Sequence, residues 1–209
     1  MSKIRLFIAR HGETDYNKKG LLQGRGVDAP LNQTGIQQAR HLANYLQQYR
    51  AKKLVSSSMT RAWQTASYAE EKSGLKTIRH SGLDEMDFGD YEGTSFEEVA
   101  EELKRINRAW KSGDVTLRIP GGESPRDVFD RADQAAREYL QASSSDSVIF
   151  FVHGRLIRIL LSEWLGYGLK NMDRIEHQNG AVNQIIYNAD RFQPVYLNKT
   201  SHMNGLKTN

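Results

Sequence analysis

The 209-residue chain contains no cysteine, which excludes disulfides, thiolate-bound zinc and a cysteine nucleophile together. No apolar stretch is long enough to span a membrane, and the N-terminus lacks the apolar core of a signal peptide. A cytoplasmic location is therefore expected. The sequence also lacks an extended basic run, an RNA-binding aromatic motif, an internal repeat and a linker that would divide it. Its formal net charge of +4 comes from 29 Lys+Arg against 25 Asp+Glu. So small and dispersed an excess suits an anionic small molecule, not a nucleic-acid backbone or a membrane. At 38% hydrophobic and 26% charged residues, the chain should fold around a substantial core.

Short apolar runs alternate with helical periodicity. Ile4 to Ala9 reads as a buried strand. Tyr16 to Pro30 has no periodicity and reads as a loop over that strand's end, from which Asn17 can reach a ligand. Ile36, Ala39, Leu42, Ala43 and Leu46 form one helical face. Lys53–Val55 is a weaker strand, followed by three serines expected to turn the chain and cap a helix over 59–71. Arg61 falls in the first turn of that helix, where the dipole also favours an anion.

A short strand at 77–79 leads to an acidic, glycine-containing loop over 83–93. A helix over 95–111 opens on a Ser95/Glu98 capping box, and another is capped by Ser124 after a Pro-Gly-Gly break. A surface turn is expected at 143–146. Ser147 to Val152 is the clearest strand, with a helix following to Trp164; a late strand covers 182–187. The segment 198–209 reads as a polar, frayed tail beyond a domain covering 1–197. Alternating strands and helices predict one α/β domain.

Two strands end in His-Gly. Of six histidines, His11 and His153 sit at such ends, whereas His41, His80, His177 and His202 read as helix-surface or loop residues. Ligands of open α/β sheets bind at the carboxyl ends of strands. Arg10 beside His11, with Arg61 and Arg155 nearby, implies a cationic pocket for a compact oxyanion, and Gly154 lets the backbone approach it. A neutral imidazole can attack phosphorus to give a phosphohistidine. The arginines disfavour imidazolium, and a carboxylic acid is then needed to protonate the leaving oxygen.

Arg10-His11-Gly12-Glu13-Thr14 resembles the signature of the histidine phosphatase superfamily, which includes cofactor-dependent phosphoglycerate mutases. Further blocks follow in the family's order: Pro30-Leu31-Asn32 with Gly35, Ser56-Ser57 with Arg61-Ala62, Gln64-Thr65-Ala66, Leu83 and Glu85 with Gly89 and Glu92-Gly93, Gly122-Glu123-Ser124, and Val152-His153-Gly154 with Ile157-Arg158. The resemblance implies a three-layer α/β/α sandwich around a mostly parallel sheet. It implies His11 as nucleophile, Glu85 as proton donor, Arg10, Arg61 and His153 as phosphoryl ligands, and Asn17 as a further contact. No metal or other cofactor is expected. Asp84, Asp87 and Asp90 compete with Glu85 by proximity; the Leu-x-Glu spacing favours Glu85. Two positions depart from the pattern: Met59, which looks harmless, and Arg155, which adds a cation and bears on substrate preference.

The expected activity is hydrolysis of small phosphate monoesters. A mutase, an inactive phosphate-binding protein and a metal-dependent hydrolase are the alternatives. The full set of chemical groups disfavours the second, and the arginines around both histidines disfavour the third. Against the mutase, Gly93 to Pro120 reads as one helix and a short connector. Its Lys104, Arg105, Arg108 and Lys111 interleave with acidic residues as a solvated face.

Overall fold

The computed structural model describes residues 3–141 and 147–206; the expected turn at 143–146 lies outside them. Strands β1 (Ile4–Arg10), β2 (Lys53–Ser57), β3 (Thr77–His80), β4 (Ser147–Val152), β5 (Val182–Asn188) and β6 (Arg191–Lys199) form one sheet in the order β3-β2-β4-β1-β5-β6. The β3-β2, β2-β4 and β4-β1 pairs are parallel, and β1-β5 and β5-β6 antiparallel.

Period-2 alternation along the central strands divides the core between two faces. Phe7 and Ala9 of β1, with Ile149 and Phe151 of β4, pack against α2 (Gln33–Leu46) and α3 (Thr60–Ser73). Leu6, Ile8, Val148, Phe150 and Val152 face the opposite layer. That layer holds α4 (Ala100–Ser112), α5 (Pro125–Gln141) and α6 (Gly154–Trp164), while α1 (Asp15–Lys18) is a single turn beyond β1. Every residue of β4 is buried, as a parallel strand covered on both faces requires. Truncating Phe150 there to alanine would cost about 3–5 kcal/mol.

Local chemistry sets the helix starts. Asn32 Oδ1 accepts the Gly35 N–H at 2.9 Å to cap α2. Ser124 and Asp127 form a reciprocal box at α5. The Ser95/Glu98 box also forms, but the α-helix begins five residues after Ser95, at Ala100. The three serines do not cap α3. Asp28, from the loop before α2, accepts the Thr60 N–H at 2.7 Å instead, and Ser57 and Ser58 donate to Asp84.

The tail departs most from expectation. Instead of fraying at Asn198, the chain continues in β6 to Lys199 and then makes a 3-10 turn over Ser201–Met203. His202 Nε2 pairs with the Gly180 carbonyl at 3.0 Å, and its ring stacks on Tyr45. Among the described residues no helix is long and apolar enough to cross a membrane.

Candidate active site

The parallel pairing of β1 and β4 brings two distant histidines together. Arg10 is in register with Val152, so the next residues, His11 and His153, emerge side by side. The His11 N–H donates to the Val152 carbonyl at 2.9 Å, and the two ring centroids lie 5.1 Å apart. Both rings are buried. Gly12 and Gly35 allow α2 to start against this turn: a Cβ on Gly12 would lie 2.3 Å from the Gly35 carbonyl oxygen.

One hydrogen bond assigns the His11 tautomer. Nδ1 lies 2.7 Å from the Gly12 carbonyl oxygen. A carbonyl only accepts, so Nδ1 carries the proton and Nε2 presents a lone pair. Desolvation first, then the cations of Arg61 and Arg10, hold the His11 pKa well below the usual imidazole value of 6.5. His153 is depressed in the same direction, by burial first and then Arg61. Both rings are thus neutral near pH 7.

The arginines are anchored through only part of their donor sets. Arg10 donates Nη1–H to the His177 carbonyl at 2.9 Å; Arg61 donates to the carbonyls of Val27 and Gly24 at 2.9 and 3.1 Å. Burial lowers the Arg10 pKa to about 10, which leaves it a cation at neutral pH. The Nε atoms of Arg10 and Arg61 and both ring nitrogens of His153 are buried without a partner in the protein. Buried polar nitrogens are seldom left so; the two guanidinium N–H groups and the one N–H of neutral His153 suit oxyanion oxygens.

A cavity of about 390 Å³ opens over this floor. Arg10, His11, Asn17, Glu85, Gly154 and Arg155 all line it. Arg61 and His153 do not; they are completely buried beneath it. Glu85 sits at the start of α6: its Oε2 accepts the Arg155 N–H at 3.0 Å, and its Oε1 accepts those of Leu156 and Met86, each at 2.9 Å. The competing acids are engaged elsewhere. Asp84 accepts from Ser57 and Ser58, and Asp87 from the Gly89 N–H; neither they nor Asp90 line the cavity.

Asn17 Oδ1 accepts from Thr14 N–H and Asn179 Nδ2, which leaves only its own amide N–H groups for a ligand. Gly154 packs against the Arg10 guanidinium, where a Cβ would lie 3.1 Å from Cζ. The Arg155 guanidinium is tied to Asp173 at 3.1 Å. Among the described residues, no group of three or more His, Asp or Glu side chains could hold a metal ion.

Sequence reasoning missed four contributors. His177 does lie in a loop, but it is buried, pairs through Nε2 with Asn183 Nδ2 at 2.8 Å, and supplies the carbonyl that holds Arg10. Asn179 donates to the His11 carbonyl at 3.2 Å and to Asn17. The only hint of either is a polar loop just before β5. Arg158 lines the cavity, and Arg131 of α5 grips the Glu85 loop. Arg158 belongs to a motif block but was given no role there, and Arg131 does not stand out from an ordinary polar helix residue.

A neutral imidazole with an open lone pair amid partly unpartnered cationic and neutral donors is chemically suited to phosphoryl transfer. Residues 6–200 match the histidine phosphatase superfamily (branch 1), and the chain belongs to that family. It is 31% identical to "Putative phosphoserine phosphatase 2" of Hydrogenobacter thermophilus over 95% of this chain and 97% of that one. It is 28% identical to "Probable phosphoglycerate mutase GpmB" of Salmonella paratyphi C, over 90% and 87% of the two chains. Among solved structures, a mycobacterial glucosyl-3-phosphoglycerate phosphatase in complex with VO3 superposes with a TM-score of 0.84 at 28% identity, covering 94% of this chain and all of that one. The activity class of this chain is phosphoric monoester hydrolysis.

Proposed function

We propose that hydrolysis proceeds through a covalent phosphohistidine on His11, with Glu85 as the acid and base. The observation that carries this reading is the Nδ1–H to Gly12 carbonyl bond, which leaves the Nε2 lone pair as nucleophile. Nε2 attacks phosphorus and the ester P–O bond breaks, while protonated Glu85 gives its proton to the departing oxygen. Glu85 then takes a proton from water; that oxygen attacks phosphorus, the P–N bond breaks, and phosphate leaves. Arg10 and Arg61 neutralise the transferring oxygens, and neutral His153 donates one N–H to them. The Asn17 amide and the Gly154 turn supply further phosphate contacts. Substrates are small phosphorylated metabolites, as the cavity volume suits, and the cytoplasm that holds them is the compartment this reading assigns.

Rapid mixing with labelled substrate and an alkaline quench should trap an acid-labile label that His11→Ala lacks. Turnover by His11→Ala at the wild-type rate would sink the mechanism.

Hydrolysis is favoured over isomerisation by the segment between Gly93 and Pro120. A mutase must hold a bisphosphorylated intermediate away from water under a cationic cap. Here the segment contributes one helix, α4, whose Arg105 and Arg108 are exposed. Lys104 pairs with Glu101 at 2.7 Å, and Arg118 beyond α4 with Asp127 at 2.8 Å. The mutase reading has a named relative behind it and is decided by one assay. 3-Phosphoglycerate is followed with 2,3-bisphosphoglycerate present. Isomer formation much faster than phosphate release would establish a mutase; phosphate release with little isomerisation establishes a phosphatase.

A further inference from the structure

The cavity over His11 is lined by unlike groups: Leu21, Leu22, Phe88 and Phe96 are apolar, whereas Arg155 and Arg158, successive-turn neighbours on α6, are cationic. The phosphoryl steps use neither guanidinium.

Asp173, in the 3-10 segment Leu169–Arg174, accepts both arginines: Arg155 Nη1 lies at 3.1 Å and Arg158 Nη1 at 3.6 Å. Lys111 of α4 reaches the same carboxylate at 3.4 Å, and Glu176 adds its field at Arg158. Glu85 acts on Arg158 ahead of Glu176, and Asp173 is a carboxylate that both guanidiniums share. The guanidiniums are not free surface tips. Arg155 also lies over the Trp110 ring at 5.9 Å, and the side-chain exposures are 19% and 32%. Burial and the neighbouring Arg155 cation work against the charge on Arg158, a repulsion that a bound anion would relieve.

We propose that Arg155 and Arg158 form a second anion subsite that takes a carboxylate on the leaving group, so that preferred substrates are phosphate monoesters of small hydroxy acids. This rests on the phosphatase reading above. Asp173 already offsets part of the charge of the pair, which suits a carboxylate monoanion better than a second phosphoryl dianion. The planar guanidinium fork also suits two carboxylate oxygens. Asp173 holds both forks in place before substrate arrives, which reduces the ordering cost of binding.

The test uses matched esters: 3-phosphoglycerate and glycerol 3-phosphate differ only in a carboxylate replacing a hydroxymethyl group. The wild-type enzyme should favour the glycerate by about tenfold or more in kcat/KM, mostly through KM. Arg158→Met and Arg155→Met should each shrink that ratio by about tenfold. Lys104→Met, on α4 but paired with Glu101 and outside the cavity lining, should preserve it. Equal use of the two esters by the wild type, or equal losses on both in the arginine variants, would overturn the subsite. A stronger preference for fructose 1,6-bisphosphate over fructose 6-phosphate would overturn the carboxylate assignment. Failure to release phosphate from any ester, p-nitrophenyl phosphate included, would instead count against the phosphatase reading. Calorimetric binding of the same two esters would then judge the subsite, and indistinguishable affinities would reject it.

Discussion

Arg131 of α5 holds the backbone of Glu85: its Nη2–H donates to the Glu85 carbonyl at 2.9 Å. The same guanidinium donates through Nη1 to the carbonyls of Gly82 and Asp84, and grips Glu123 through Nε and Nη2 at 2.7 and 2.8 Å. Glu123 in turn accepts the Asp87 N–H at 2.9 Å. One half-buried cation thus ties the loop carrying the proposed proton donor to the α5 layer.

Arg131→Met should therefore act at two levels. Leaving its half-buried hydrogen-bond partners unsatisfied costs about 1–3 kcal/mol, readable as a lower denaturant midpoint. Because Glu85 loses its backbone anchor, kcat should fall more for alkyl phosphates than for p-nitrophenyl phosphate. A destabilised variant with the same relative loss on both substrates would show that Arg131 has no positioning role.

Glu85→Gln keeps the shape and removes the proton. It should depress turnover of sugar or sugar-alcohol phosphates by about a hundredfold or more. p-Nitrophenyl phosphate, whose leaving group needs little protonation, should suffer least. Asp84→Asn and Asp87→Asn, which alter residues outside the cavity lining, should not show that split. Equal losses of Glu85→Gln on both substrate types would assign it to binding.

The pH dependence of stability follows from three buried imidazoles. His11, His153 and His177 all have folded pKa values well below 6.5, through burial first and then arginine cations. Above pH 6.5 both folded and unfolded states are neutral, and these groups contribute no pH slope. As pH falls below 6.5, the unfolded chain takes up protons that the native chain refuses. Stability then drops by up to about 1.4 kcal/mol per pH unit for each group. Denaturant melts between pH 7.5 and 5 should show this loss, well above the range where carboxylates titrate. His177→Gln should remove about a third of the slope. A flat profile from pH 6.5 to 5 would contradict the buried neutral assignment.

Activity should survive exhaustive chelation. In the proposed mechanism Arg10 and Arg61 provide the positive charge for the transferring group, and the same charge repels a divalent cation. Vanadate or tungstate should compete with substrate at the same site. A strict requirement for added magnesium would refute this.

The sequence by itself determined the elements whose surroundings are uniform. β1 and β4 are legible because strands buried on both faces must be apolar at nearly every position. The His-Gly steps at their ends, together with the motif blocks, announced the phosphate chemistry. Less regular elements were hidden. β6 is half-exposed, so its pattern lacks alternation. Its hairpin turns at Ala189-Asp190, both at positive φ, without the glycine that usually signals such a turn. Tertiary contacts separate the carboxylates: Ser57 and Ser58 claim Asp84, while the first turn of α6 receives Glu85. His177, Arg131 and Arg158 owe their importance to the elements folded against them. Local periodicity reports which way a side chain points relative to its neighbours in sequence. Only the packed fold decides what it meets, and hence whether a buried histidine stays neutral or a helix arginine becomes part of a site.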